Sequence, residues 1–285
     1  MNAKDAGLAT IVVTVWGINF VAAKLGTREL PPLLFTAIRF AFVALAVIPF
    51  FPRPRGQLRL IGLLSLVLGV GHFGILYVGI KGLDAATAAI ALQLCMPFSA
   101  LVAAVAYGER LGPRGLSGMV LALAGVVLLA GEPHRPDLLS LGLVVFAALA
   151  WALSNLVVKR LGPIRPLLLN GWTCLFAVPP LLLLSALVEH GQIDALRNAG
   201  WTAWGAMAFT VVAASLVAYT LWYRLIARQP INRVVPFTLL NPVIGVASGV
   251  LALGEPLSWQ KLVGGALTLA GVAVIQLRAP AEDRR

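Results

Sequence analysis

Acidic side chains are scarce in this sequence: eleven among 285 residues, all in loops, at the ends of apolar runs or near a terminus. Intramembrane proteolysis needs paired aspartates, a Ser–His pair or an HExxH helix, and lipid transfer needs clustered acids or histidines; neither pattern is present. There are three histidines, His72, His134 and His190, and two cysteines, Cys95 and Cys174, which form no metal-spaced or redox pair. Thiols inside apolar stretches are expected to be buried and free. No Gly-rich loop ending in Lys is available to cradle a phosphate, so ATP hydrolysis is not expected of this chain. Neither a metal nor a cofactor is expected.

Charge as a whole is also short. Charged residues make up 12% of the chain, against roughly a quarter in soluble domains, and 60% of residues are hydrophobic. The apolar residues fall into ten runs, approximately 6–24, 32–51, 59–80, 85–107, 114–130, 138–158, 166–188, 201–226, 232–253 and 259–277. Most reach the roughly 20 residues that a helix needs to cross a bilayer. Backbone polar groups must be paired in lipid, and runs of this length lack the dyad alternation of barrel strands. The fold class is therefore an all-α integral membrane protein with ten transmembrane helices. No cleavable signal peptide is expected, because the first run continues past the length of an h-region.

The net charge of +11 is distributed by topology rather than gathered into a nucleic-acid patch. With the N-terminus placed in the cytoplasm, fifteen of the 22 Lys and Arg fall on that side, six fall opposite, and Arg39 lies inside a span. This asymmetry predicts cytoplasmic N- and C-termini in a multi-pass protein of the bacterial inner membrane. Membrane lipid is its surroundings, and nucleic acid is not a partner.

The chain is also written twice. "WGINFVAAK" (16–24) returns as "WALSNLVVK" (151–159), and "ERLGPRGLSGMVLALAGV" (109–126) returns as "EPLSWQKLVGGALTLAGV" (255–272). "FGILY" (73–77) pairs with "YTLWY" (219–223), and Pro97 with Pro242. Residues 1–131 and 132–285 are read as two five-helix copies. Five is odd, so the second copy starts on the opposite side of the membrane, which gives the inverted repeat of secondary transporters.

These features together resemble the EamA-type carriers of the drug/metabolite transporter superfamily. The resemblance rests on the Trp–Asn pair opening each copy, "AIRF" in the second run, and the Gly-Glu endings followed by "LALAGV" and "LTLAGV". It covers 6–277 and implies a carrier of small molecules, similar to bacterial exporters of aromatic and other neutral amino acids. The pattern departs in the seventh run, where Trp172 and Thr173 stand opposite Arg39. Other readings are a carrier of another metabolite or drug, and, from a different class, a membrane-embedded enzyme or a channel. A monomer or weak homodimer is expected.

The candidate substrate-binding residues are Trp16, Asn19, His72, Gln93, Trp151, Asn155, Tyr219 and Asn241. Asn19 and Asn155 recur in both copies, where an amide can bind an ammonium or a carboxylate, or bridge helices as packing. Trp16 and Trp151 can stack on an apolar substrate or its ammonium, or simply pack. His72 can bond substrate, titrate, or be a satisfied core histidine. Gln93 and Asn241 flank Pro97 and Pro242, whose missing N–H groups make them candidate hinges. Arg39 is assigned a structural or charge-pairing part, with snorkelling as its plainest reading. Tyr107, Trp222 and Tyr223 stand near span ends, where interfacial anchors belong. The stripes Gly118–Ala122–Gly125 and Gly264–Thr268–Gly271 read as scaffold.

Overall fold

The computed structural model describes residues 3–54, 56–108, 112–131, 137–229 and 231–276. Glu109 of the first Gly-Glu ending and His134 lie outside the described residues. Among those residues the protein is helical throughout, and nine helices are long and apolar enough to cross a membrane. They are α1 (Ala3–Glu29), α2 (Pro32–Phe50), α3 (Leu58–Gly82), α4 (Ala85–Tyr107), α5 (Pro113–Ala130), α6 (Leu138–Leu161), α7 (Pro166–Val188), α8 (Trp201–Arg228) and α9 (Pro236–Leu253). A further helix, α10 (Trp259–Gln276), contributes 18 residues. Large apolar side chains such as Phe50, Val105 and Leu251 face outward at 80%, 81% and 85% exposure, as a lipid-bathed bundle requires.

Local chemistry sets the helix ends. Proline at the first helical positions opens α2, α5 and α7, where a missing N–H costs nothing. Asp137 caps α6: its carboxylate accepts from the N–H groups of Leu139 and Ser140 and from the Ser140 hydroxyl. That hydroxyl, foremost, holds the carboxyl below the usual aspartate range. Gly108 and Gly254 end α4 and α9 in the left-handed region, at φ 68° and 65°. This backbone disfavours a side chain, which explains why glycine stands at both positions.

Helix α1 outruns its predicted end at Lys24 and continues to Glu29. The Lys24 ammonium is satisfied by the carbonyls of Ile80, Lys81 and Leu83 at 3.3, 2.8 and 2.6 Å, so the charge does not break the span.

Helix α5 packs on α10, and α2 packs on α7. Gly118 faces Gly271, and Gly125 faces Gly264 and Thr268, so α5 and α10 run antiparallel with their small-residue stripes in contact. Helices α2 and α7 are also antiparallel: Val47 meets Gly171 near one end, and Leu33 meets Glu189 near the other. Helix α1 packs on α8 and α9, and its counterpart α6 packs on α3 and α4.

Two kinds of irregular turn recur in matching places. Ser65–Gly74 of α3 and Phe209–Val217 of α8 are wound as π-helix. Leu92–Leu94 of α4 and Val235–Leu239 at the start of α9 are wound as 3₁₀-helix, shortly before Pro97 and Pro242. Wide π turns inside α-helices often mark functional sites, because they push side chains out of helical register.

Candidate functional site

A cavity of about 350 Å³ is walled by five helices. Its walls come from α2 (Arg39, Phe40), α3 (Leu64, Leu68, Gly69, Phe73), α6 (Trp151, Ser154, Asn155, Val158), α7 (Leu169, Asn170, Thr173, Cys174) and α8 (Ser215, Tyr219, Tyr223). It runs from Arg39 out to the α6–α7 turn at Gly162, Pro163 and Ile164. The lining is mostly apolar and aromatic with a few polar groups, the composition of a small-molecule site.

Arg39 is 3% exposed and held from two helices. Its Nε and Nη2 donate to the Ser215 hydroxyl at 3.1 and 2.8 Å, and Nη1 donates to the Tyr77 hydroxyl at 2.7 Å. Ser215 turns its own proton away, to the Thr210 carbonyl five residues back at 2.6 Å, so its lone pairs face the guanidinium. The π winding of α8 makes this arrangement. The Phe73 ring lies 5.2 Å from the guanidinium carbon, within reach of a cation–π contact. Among the described residues no carboxylate lies in ion-pair range of Arg39; the ion pair there is Lys261 with Asp84 at 2.6 Å. Arg39 is thus fixed between α3 and α8 rather than extended toward a helix end.

Of the candidate binding residues, Trp151, Asn155 and Tyr219 line the cavity. Asn155 also bonds the Ser99 hydroxyl at 3.2 Å, across a groove of about 200 Å³ between α4 and α6. Trp16 sits behind Tyr219, with ring centroids 5.2 Å apart and its Nε1 on the Ala214 carbonyl at 3.3 Å. His72 sits behind Trp151 at 4.9 Å, its Nδ1 2.8 Å from the Ala147 carbonyl. Asn19 donates to the Tyr77 hydroxyl at 3.4 Å, one step from Arg39, and its Oδ1 is buried without a partner. Gln93 lies in the 3₁₀ turn of α4, and Asn241 in α9 has a buried Oδ1 without a partner. Neither of these two borders the cavity.

Other cavity residues were not singled out from the sequence: Phe73, Ser154, Asn170, Thr173 and Ser215. Thr173 carried a signal, because it stands where the first copy has Arg39. Tyr223 lines the cavity and Trp222 packs on Trp16 at 5.3 Å, both half-buried near the end of α8.

The end of the bundle away from Gly162 is tied by charges. Glu255 accepts the N–H groups of Ala85 and Ala86 at 2.6 and 3.0 Å, at the start of α4. Glu189 does the same for Leu33 and Leu34 of α2 at 2.7 and 3.1 Å, and Glu29 takes the Gly200 N–H at 2.6 Å. Carboxylates at helix N-termini are favoured by the helix dipole. Together with Lys24 on α3 and Lys261 on Asp84, these contacts tie the ends of α1, α2, α3, α4, α7 and α8 to one another and to the segment that follows α9.

Membrane-length helices around a mostly apolar cavity suit a membrane carrier, and the comparisons with known proteins name the family. The EamA-like transporter family matches residues 5–131 and again 138–277, and the chain belongs to it. A probable amino-acid metabolite efflux pump of Salmonella typhimurium LT2 is 34% identical, over 96% of this chain and 95% of that protein. The pump of the same description from Escherichia coli K12 is 32% identical over the same shares. One solved structure superposes with a TM-score of 0.65 at 20% identity, covering 97% of this chain and 98% of that one, a likeness of fold.

Proposed function

We propose that this EamA-like transporter exports amino acids, aromatic and other large neutral ones, from the cytoplasm across the bacterial inner membrane by alternating access. In this reading ten helices form two inverted five-helix copies, residues 1–131 and 132–285, with both termini cytoplasmic. The observation that carries it is the cavity: walled by helices from both halves of the chain, it runs out to the α6–α7 turn at Gly162, while the Glu255 end is held together by hydrogen bonds. The antiparallel pairing of α5 with α10 and of α2 with α7 is the packing that an in-plane two-fold axis produces. The amino-acid cargo is supported by the names of the two bacterial relatives and by the aromatic walls at Phe73, Trp151, Tyr219 and Tyr223.

In the same reading Trp151, Asn155 and Tyr219 touch substrate, while Trp16 backs Tyr219, His72 backs Trp151, and Asn19 holds the Tyr77 hydroxyl beside Arg39. Pro97 and Pro242, with Gln93 and Asn241 beside them, mark the hinges that let α4 and α9 bend. The charges at the Glu255 end break when that end opens, and the Gly162 end then closes. The test is flux of labelled phenylalanine, tryptophan and leucine in liposomes holding the purified protein. Saturable flux that falls in Trp151→Ala at matched protein content is the expected result. Flux no greater than in protein-free liposomes would refute the cargo.

A further inference from the structure

The two ends of the bundle are held differently, and a lysine at each shows it. At the Glu255 end, Lys24 of α1 reaches the last turn of α3 and donates to the carbonyls of Ile80, Lys81 and Leu83 at 3.3, 2.8 and 2.6 Å. The last carbonyls of a helix lack intrahelical partners and carry the negative end of its dipole, so they receive an ammonium well. Helix α1 packs on this part of α3. Lys159 ends the matching segment "WALSNLVVK" in the last turn of α6, and it is exposed. Its ammonium lies over the Tyr107 ring of α4, 3.5 Å from the centroid. Helices α6 and α8 both line the cavity, and among the described residues α6 makes no comparable packing on Ala218–Arg228 of α8.

The end of α8 nonetheless repeats the end of α3. The register that sets "FGILY" on "YTLWY" also sets Gly82 on Arg228, and these are the last residues of the two helices. Leu83 leaves α3 at φ −117° and ψ 161°, and Gln229 leaves α8 at φ −123° and ψ 145°. The carbonyls of Ile226, Ala227 and Gln229 thus stand in the places of the three that hold Lys24. We propose that Lys159 is the latch of the Gly162 end: when that end closes, its ammonium leaves Tyr107 and binds these three carbonyls of α8. Basic neighbours do not forbid the move, since Lys81 itself supplies one of the acceptors of Lys24. The seat on Tyr107 has no counterpart for Lys24, because the same register puts Leu253 there. Tyr107 therefore favours the form in which the Gly162 end is open. The inference rests on the inverted repeat and the alternating access proposed above.

The test follows Thr27→Cys in the purified full-length protein, with Cys95→Ala and Cys174→Ala, as it reacts with a water-soluble maleimide. Thr27 is fully buried at the Glu255 end, so its labelling tracks the form in which that end is open and the Gly162 end is closed. Glu255→Gln is present throughout, to make the reaction fast enough to follow. Against that background Lys159→Gln is expected to slow labelling about tenfold, the scale of the hydrogen bonds of one ammonium. Lys159→Arg can still bond the terminal carbonyls and should largely restore the rate. Tyr107→Leu removes only the open-form seat and should speed labelling about threefold. Unchanged labelling in Lys159→Gln, slowing by arginine as great as by glutamine, or slower labelling in Tyr107→Leu would overturn the latch. Comparing Glu255→Gln with its parent separates the two readings. No acceleration there ends alternating access and the latch with it, whereas acceleration with an indifferent Lys159→Gln ends the latch alone.

Discussion

Glu255→Gln tests whether the tied end is a gate. Glu255 is 8% exposed, and its two oxygens accept the Ala85 and Ala86 N–H groups in the first turn of α4. Glutamine keeps one acceptor and turns an NH₂ toward the other N–H. One buried donor then lacks a partner, at a cost of about 1–3 kcal/mol. Losing the negative charge at the helix N-terminus removes about 0.3–1 kcal/mol more. A total near 2 kcal/mol shifts the balance between the closed and open forms of this end about 30-fold. The reporter is Thr27→Cys in a chain with Cys95→Ala and Cys174→Ala, because Thr27 is fully buried in the last turn of α1. A membrane-impermeant maleimide added outside intact cells should label it about 30-fold faster when Glu255→Gln is also present. An unchanged rate, at equal abundance, would refute the gate.

Three further outcomes follow from the same contacts. A Cβ at Gly118 would lie 2.7 Å from the Gly271 carbonyl, and one at Gly264 2.7 Å from the Gly125 carbonyl, whereas Gly62 has open space. Alanine at 118 or 264 should therefore lower the melting temperature in detergent through overpacking of about 1–3 kcal/mol, and Gly62→Ala should not; equal melting of all three would refute the tight α5–α10 seam. Lys159, the repeat counterpart of Lys24, lies over the Tyr107 ring at 3.5 Å. Lys24→Gln should speed the outside labelling at Thr27→Cys and Lys159→Gln should not, and equal effects would contradict the assignment of ends. Among the described residues no carboxylate lines the cavity, and His72 is tied to the Ala147 carbonyl, so flux into liposomes should run to equilibrium without following an imposed pH gradient. Proton-driven accumulation that vanishes in His72→Ala would refute uncoupled transport.

Hydropathy and the repeat made the helices legible to within a few residues. The runs at 85–107 and 166–188 coincide with α4 and α7, and α1 alone runs on well past its expected end, because Lys24 finds carbonyls 56 to 59 residues away. The π turns of α3 and α8 left no mark, since winding of that kind needs no special residue type. The 3₁₀ turns were foreshadowed by Pro97 and Pro242. In the site, repetition drew attention to Trp151 and Asn155. The setting of Arg39 stayed hidden, because Ser215 lies 176 residues away and Tyr77 lies 38 away, on helices that only the tertiary packing brings together.

The central claim is that the cavity opens to one side of the membrane at a time. Spin labels on Arg59 and Arg228 report the Gly162 end, and labels on Lys81 and Trp201 report the opposite end, all four being exposed. Pulsed electron–electron distances in liposomes, with and without phenylalanine, follow α3 against α8 at both ends. The account predicts opposed changes: whenever the Arg59–Arg228 distance shortens, the Lys81–Trp201 distance lengthens, and Glu255→Gln enriches that second state. Distances that stay fixed in every condition, or lengthen together at both ends, would contradict it.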